Sequence, residues 1–284
     1  MNALFAHTPD DAMPFRPYRM YHPVQEIARG ETHGQSWKGQ DIEEAIDLCR
    51  HQMLERLLLE FLPPHGKVLE AGCGTGRWVF YLLKKGYDIV GVDLAQEALE
   101  IAKAYDPSAP LVHGDVCRLE FESETFDAVM SLGVVEHFEE GPQKVLKELR
   151  RILSDDGILI LTIPVQNILR RLLINRLKTF KRVLQQWRGV RYGFEEYRFT
   201  RGQMETLLAS AGFVVERTDP DDFYPPFNMG LYVDLPMLRS PERRWELNAA
   251  GRVLQRLLNI LSPWIASSGA IFVCRKRTRQ NDES

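Results

Sequence analysis

Lys67-Val-Leu-Glu-Ala-Gly-Cys-Gly-Thr-Gly-Arg77 runs from a short apolar stretch into three glycines spaced G-x-G-x-G and on into a helical pattern. A strand feeding a glycine turn and then a helix puts that turn at the carboxyl end of a sheet, where α/β proteins open their ligand crevice. Glycines at 72, 74 and 76 let a ligand approach the main chain without Cβ obstruction. A dinucleotide pyrophosphate favours G-x-G-x-x-G, so that it rests on helix amides, and that spacing is absent. Glu70, two residues before Gly72, would repel a pyrophosphate but suits a cationic amine. Asp93 ends the next apolar run, 23 residues after Glu70, where an acidic side chain takes the two hydroxyls of a ribose. Asp115, in Gly-Asp-Val, is placed to accept a hydrogen bond from an adenine amino group. Three acids in this order suit a nucleoside ligand with an ammonium group and no phosphate.

Outward from this stretch, strand-sized apolar runs at 67–71, 88–93, 111–113, 126–131, 157–164, 213–218 and 270–275 alternate with helical patterns. Runs that are apolar on both faces imply a sheet covered on each side by helices, so the expected fold is doubly wound α/β with seven mostly parallel strands. Residues 41–61 repeat apolar side chains at three- and four-residue steps, predicting one helix that Pro63-Pro64 stops. Thr200 and Gln203 form a capping box for a helix running to Ala211, which Gly212 ends. Residues 1–40 read as an irregular arm or lid. Residues 41–284 read as the main domain, interrupted at 165–199 and 219–268 by insertions of the size that makes lids.

With 284 residues, 44% hydrophobic and 26% charged, the chain has the composition of a folded globular protein. A formal charge of −3 argues against a general nucleic-acid surface. Cys49, Cys73, Cys117 and Cys274 form no CxxC pair, so neither a zinc site nor a disulfide framework is signalled. The N-terminus, with Asp10 and Asp11, lacks a secretory pattern, and no apolar run reaches the ~18–20 residues of a membrane span. A cytoplasmic location is the expectation.

The ordered set VLEAGCGTGRW, IVGVDL, HGDV, FDAVMSLGVVEHF and GILILTIP resembles the class I S-adenosylmethionine-dependent methyltransferase family and its Rossmann-like fold, over residues 41–164 and again 200–219. The resemblance implies S-adenosylmethionine as cofactor. It implies contacts of Glu70, Gly72, Cys73 and Gly74, with Gly76 in the same loop, to the methionine part. It places Asp93 and Leu94 at the ribose, Asp115 and Val116 at the adenine, and Ser131, Leu132 and Gly133 beside the sulfonium. Singly, Glu70 also reads as a carboxylate paired with Lys67 or Arg77, and Asp93 as a helix cap. Cys73 reads as a small turn residue, since no base is indicated beside it.

Methyl transfer from a sulfonium requires alignment of the acceptor and exclusion of water, and a hydroxyl acceptor gains from a nearby base. His137 follows the fourth strand, and Glu136 is its candidate orienting group. In some sugar O-methyltransferases of the family a histidine near this position is the base. The other reading is a histidine that caps or packs under the cofactor. Adjacent acids at Glu139-Glu140, Glu195-Glu196 and Asp221-Asp222 read as solvated pairs, so no metal is expected.

No Asp or Glu lies between Gly157 and Phe194, whereas this stretch holds eight of the 36 basic residues, among them Arg170, Arg176, Lys181 and Arg188. Leucines at 169, 172, 173, 177 and 184, with Phe180 and Trp187, add an apolar stripe at helical spacing. Two placements are open for residues 166–188: the stripe packs on the body or a partner, or it rests on an anionic membrane surface. Tyr18, Tyr21, Trp37, Tyr192, Tyr197, Phe223, Tyr224 and Tyr232 resemble material for an acceptor pocket or ordinary lid packing, and the Arg198 and Lys38 cations suit an acidic acceptor. The expected activity is methylation of a small hydroxylated acceptor, a saccharide or uronic acid first. A quinone or lipid-linked acceptor at a membrane is the alternative, and a cofactor-binding scaffold without turnover is the rival from another class.

Overall fold

The computed structural model describes residues 13–24, 41–223, 229–243 and 245–277. Trp37, Lys38 and Tyr224 lie outside the described residues. The outermost pieces are β1 (Tyr18–Pro23), α1 (Ile42–Cys49) and α2 (Met53–Phe61). The alternating body follows: β2 (Lys67–Ala71), α3 (Arg77–Lys84), β3 (Asp88–Asp93), α4 (Gln96–Tyr105), β4 (Leu111–His113), β5 (Phe126–Leu132), α5 (Gln143–Ile152) and β6 (Leu153–Pro164). After it come α6 (Asn175–Trp187), β7 (Tyr192–Arg198), α7 (Arg201–Ser210), β8 (Phe213–Asp221), α8 (Met229–Asp234), α9 (Ala249–Leu261) and β9 (Gly269–Lys276).

Seven strands form one sheet in the order β4-β3-β2-β5-β6-β9-β8. The neighbours from β4 to β6 are parallel, and β9 is antiparallel to both β6 and β8. Side chains alternate across the strands, so consecutive residues enter opposite cores. Val68, Ala128 and Ile160 meet Leu54, Leu57, Trp78 and Leu99 on the α1–α4 face, whereas Leu69, Val129 and Leu159 meet Val145, Leu149, Met204 and Leu208 on the α5–α7 face. This is the doubly wound fold expected. The Thr200–Gln203 capping box is present at the start of α7, and Gly212, with φ +83°, follows its end.

Three expectations change. Residues 41–61 form two helices, because Gln52 bridges to Phe223 and the Met53 N–H donates to the Asp222 carbonyl at 2.8 Å. The arm is not wholly irregular, since β1 pairs antiparallel with β7 as a ribbon outside the main sheet, with a bulge between Met20 and Tyr21. The apolar stripe of α6 does not pack on the body of the chain. Its polar side faces the ribbon, where Arg182 lies 4.6 Å from the Tyr21 ring centroid and Gln185 bonds Tyr192. Phe180 is consequently 70% exposed and Trp187 83%.

Candidate active site

At the end of β2 the chain turns with Gly72 at φ +85°, and the N–H groups of Gly72 and Cys73 both donate to the Val92 carbonyl, at 2.7 and 3.0 Å. A Cβ on Gly72 would stand 2.4 Å from Val134 Cγ2, so only glycine fits both the conformation and the space. Gly74 donates its N–H to Asp93 Oδ2 at 2.6 Å. The other oxygen of Asp93, Oδ1, accepts from Ala95 N–H at 2.7 Å. One carboxylate therefore fixes the glycine loop and the loop after β3 together.

Glu70 is buried under this loop. It takes a main-chain hydrogen bond from Val79 in the first turn of α3, while its Oε2 is buried without a partner. Burial pushes its carboxyl up to about 8, against the pull of Arg77, and the Asp93 charge adds to the rise. A buried carboxylate oxygen left unpaired is costly unless a cation or donor meets it. Cys73 is a buried turn residue whose thiol burial pushes well above its ordinary value, with Glu70 and Asp93 adding to the rise. It is not an activated nucleophile.

A cavity of about 1020 Å³ brings together Glu70, Gly72, Cys73, Gly74, Asp93, Leu94, Asp115, Val116, Leu132, Gly133, Glu136 and His137. Asp115 stands at the rim, its Oδ1 accepting the Cys117 N–H at 2.8 Å, and Val116 is buried beside it. Two of the expected site residues are not in the lining. Gly76, with φ +74°, is the left-handed cap from which α3 starts, and Ser131 is fully buried within β5.

His137 ends a short 3₁₀ turn, Val135–His137, beyond β5. Its Nδ1 lies 3.0 Å from the Glu195 main-chain carbonyl. A carbonyl only accepts, so Nδ1 carries the proton and Nε2 keeps the lone pair. Orientation of the ring thus falls to Glu195 of β7, where the sequence suggested Glu136. Burial pulls the imidazole pKa down, but the Glu136 charge, the Glu195 carbonyl and the charges of Glu196 and Glu195 outweigh it and leave it above 6.5. Glu136 is buried with Oε2 unpartnered, and burial pushes its carboxyl up to about 8.

The same cavity is lined by residues the sequence did not assign to a site, Arg170, Glu196, Asp221, Asp222 and Phe138, and by Phe223, one of the aromatics it had offered for an acceptor pocket. Glu195, Glu196, Asp221 and Asp222 are not solvated pairs. Glu195 pairs with His22 at 2.8 Å, Glu196 with Arg198 at 2.9 Å, and burial raises Asp221 and Asp222 to about 6. Arg170 is buried against Asp234 at 2.6 Å and donates to the carbonyls of Val165 and Ser268. Among the described residues no group of three or more His, Cys, Asp or Glu is arranged to hold a metal ion.

Residues 69–161 match the methyltransferase domain family, over the glycine loop, Asp93, Asp115 and the His137 turn. Over those residues the chain has a methyltransferase domain, set on the doubly wound sheet described above. The 2-methyl-6-phytyl-1,4-hydroquinone methyltransferase of Synechocystis is 28% identical to it over 186 residues, 61% of this chain and 57% of that protein. Demethylmenaquinone methyltransferase of Staphylococcus aureus is 33% identical over 100 residues, 33% of this chain and 41% of that protein. A solved S-adenosylmethionine-dependent methyltransferase of Methanosarcina mazei superposes with a TM-score of 0.55 at 16% identity, over 78% of this chain and 98% of that one, so the fold is shared. The chain spans about half the length of the curated relatives it matches. The residues present fit S-adenosylmethionine as cofactor: the unpaired Glu70 oxygen calls for a cation, and Asp93, Leu94, Asp115 and Val116 line the same cavity.

Proposed function

We propose that the chain transfers a methyl group to a hydroxyl of a small polar acceptor held between the ends of β5 and β6 and the β1–β7 ribbon. Bound at the glycine loop, S-adenosylmethionine supplies an electrophilic methyl on sulfur. Glu70 Oε2 holds a cationic amine, Asp93 presents its remaining lone pairs to vicinal hydroxyls, and the Leu94 and Val116 side chains flank a flat base. His137 accepts the acceptor's proton at Nε2. The observation that carries this reading is the fixed tautomer of His137 at the wall of the cavity that contains the glycine loop. The carboxylates of Glu136 and Glu196 and the Arg198 guanidinium support a hydroxylated ring such as a saccharide or uronic acid, because each hydrogen-bonds hydroxyls. A hydroquinone or quinol acceptor is the second reading. It is favoured by the names of the Synechocystis and Staphylococcus relatives and by the Phe138 and Phe223 rings in the lining. Transfer of labelled methyl to a panel of sugars, uronic acids, phenols and quinols tests both. Product on a sugar or uronic acid is expected, product only on a quinol selects the second reading, and none on any acceptor removes both.

Cofactor binding should also release a proton. A carboxyl whose folded pKa is raised from 4.5 to about 8 favours the protonated folded state, so the free protein loses this contribution to stability as pH climbs through that interval. At pH 7 Glu70 is largely protonated, and an ammonium group at Oε2 favours the carboxylate. Calorimetric titration of cofactor at pH 7, in buffers of different ionisation enthalpy, should show release of up to about one proton, falling toward zero near about pH 9.5. Glu70→Gln should abolish the release. Equal observed heats in all the buffers at pH 7 would remove Glu70 from the cofactor site.

A further inference from the structure

We propose that α6 is a membrane-docking element whose outward apolar stripe rests on a surface of anionic phospholipid. This inference stands apart from the acceptor's chemistry. Leu177, Phe180, Leu184 and Trp187 of α6, with Leu172 and Leu173 in the helical turn just ahead of it, recur at three- and four-residue steps and are all exposed, because the helix turns its polar side toward the β1–β7 ribbon. A globular helix ordinarily does the reverse, burying its apolar stripe. Several hundred Å² of contiguous apolar surface marks an interaction site.

Charge selects the occupant. Arg176 and Lys181 are exposed on α6, Arg171 just ahead of it and Arg188 just after it, and no acid lies between Gly157 and Phe194. The second insertion repeats the design: α9 exposes Val253, Leu257, Ile260 and Leu261 beside Arg252 and Arg256, and residues 247–277 also lack an acid. Two copies meeting through such faces would bring like charges together, which disfavours self-association. An anionic lipid surface accepts the apolar stripe at the acyl boundary and the cations at the headgroups, and Phe and Trp suit that depth. No helix among the described residues is long and apolar enough to cross a membrane, so the contact is peripheral. Arg170, just ahead of α6, and Met229 and Val233 of α8 line the cavity, so the two insertions connect the docking element to the active-site wall.

The test is sedimentation of the whole chain with vesicles of phosphatidylglycerol and phosphatidylcholine against vesicles of phosphatidylcholine alone, at low and high salt. Binding to the anionic vesicles that weakens with salt is expected. The double variant Phe180→Ser, Trp187→Ser should weaken it about tenfold or more, as should Lys181→Glu with Arg188→Glu. Both variants should keep the wild-type melting temperature, because these side chains are exposed. No sedimentation with anionic vesicles overturns the proposal, as does binding that neither double variant weakens. A dimer in analytical ultracentrifugation that Phe180→Ser, Trp187→Ser dissolves also overturns it, since a second copy then covers the stripe. None of these readouts depends on methyl transfer, so failure of the docking inference and failure of the catalytic reading are separable.

Discussion

Calorimetric titration of Asp93→Asn with S-adenosylmethionine is expected to give an affinity roughly a hundredfold weaker than that of the wild type, with Asp93→Ala weaker still. The reason is the direction of the hydrogen bonds. Both carboxylate oxygens accept main-chain N–H groups, Oδ2 from Gly74 at 2.6 Å and Oδ1 from Ala95 at 2.7 Å. An amide offers one accepting oxygen, so its NH₂ must face one of the two N–H donors. Either the glycine loop or the loop after β3 then loses its anchor, together with the negative charge a vicinal diol would meet. Each charge-assisted bond is worth about 1.5–3 kcal/mol, and two of them are at stake in Asp93→Ala. The circular dichroism spectrum should stay native, because the strands flanking these loops are held by the sheet. An affinity within threefold of wild type would show that Asp93 only caps a loop.

His137→Asn, assayed at saturating cofactor with a methylated acceptor in hand, is expected to lower kcat by roughly 100- to 10,000-fold, the range for loss of a positioned general base. Asparagine retains a donor for the Glu195 carbonyl and removes the titrating ring, so cofactor affinity should move little. The pH profile supplies the sign. The base acts when neutral, and because the imidazole pKa is held above 6.5, the wild-type kcat should rise with pH through an inflection above that value. The variant should lose this inflection. Unchanged turnover would leave His137 as a packing residue.

The strands were legible because burial on both faces writes them as unbroken apolar runs, and the four consecutive strands β2 to β5 begin where those runs begin. The cofactor half of the site was legible for a related reason: Glu70, Asp93 and Asp115 each lie near or just past the carboxyl end of a strand, so position along the chain already fixes position at the sheet's edge. The acceptor half was not. Glu195, Glu196 and Arg198 look like surface residues in isolation, and their burial is decided by partners such as His22, which is 173 residues from Glu195. The break in the first helix depends on the Asp222 carbonyl, equally remote from Met53. Amphipathic spacing revealed the stripe of α6 but carries no information about which side the body takes. Nor does an apolar run state its own direction, so the reversal at β9 was open until the pairing of β6 with β9 was seen.

That reversal bears on how the molecule is held together. Among the described residues β9 is the last strand in sequence, yet it lies between β6 and β8, and β8 pairs with no other strand of the sheet. β8 and both insertions therefore precede in sequence the strand that seams them onto β6. β9 is what joins β8 to β6, so the cavity wall at Asp221 and Asp222 is tied to the sheet through that strand alone among the described residues. Breaking the β6–β9 pairing would loosen the Asp221–Asp222 side of the cavity while leaving the glycine loop on its own strands.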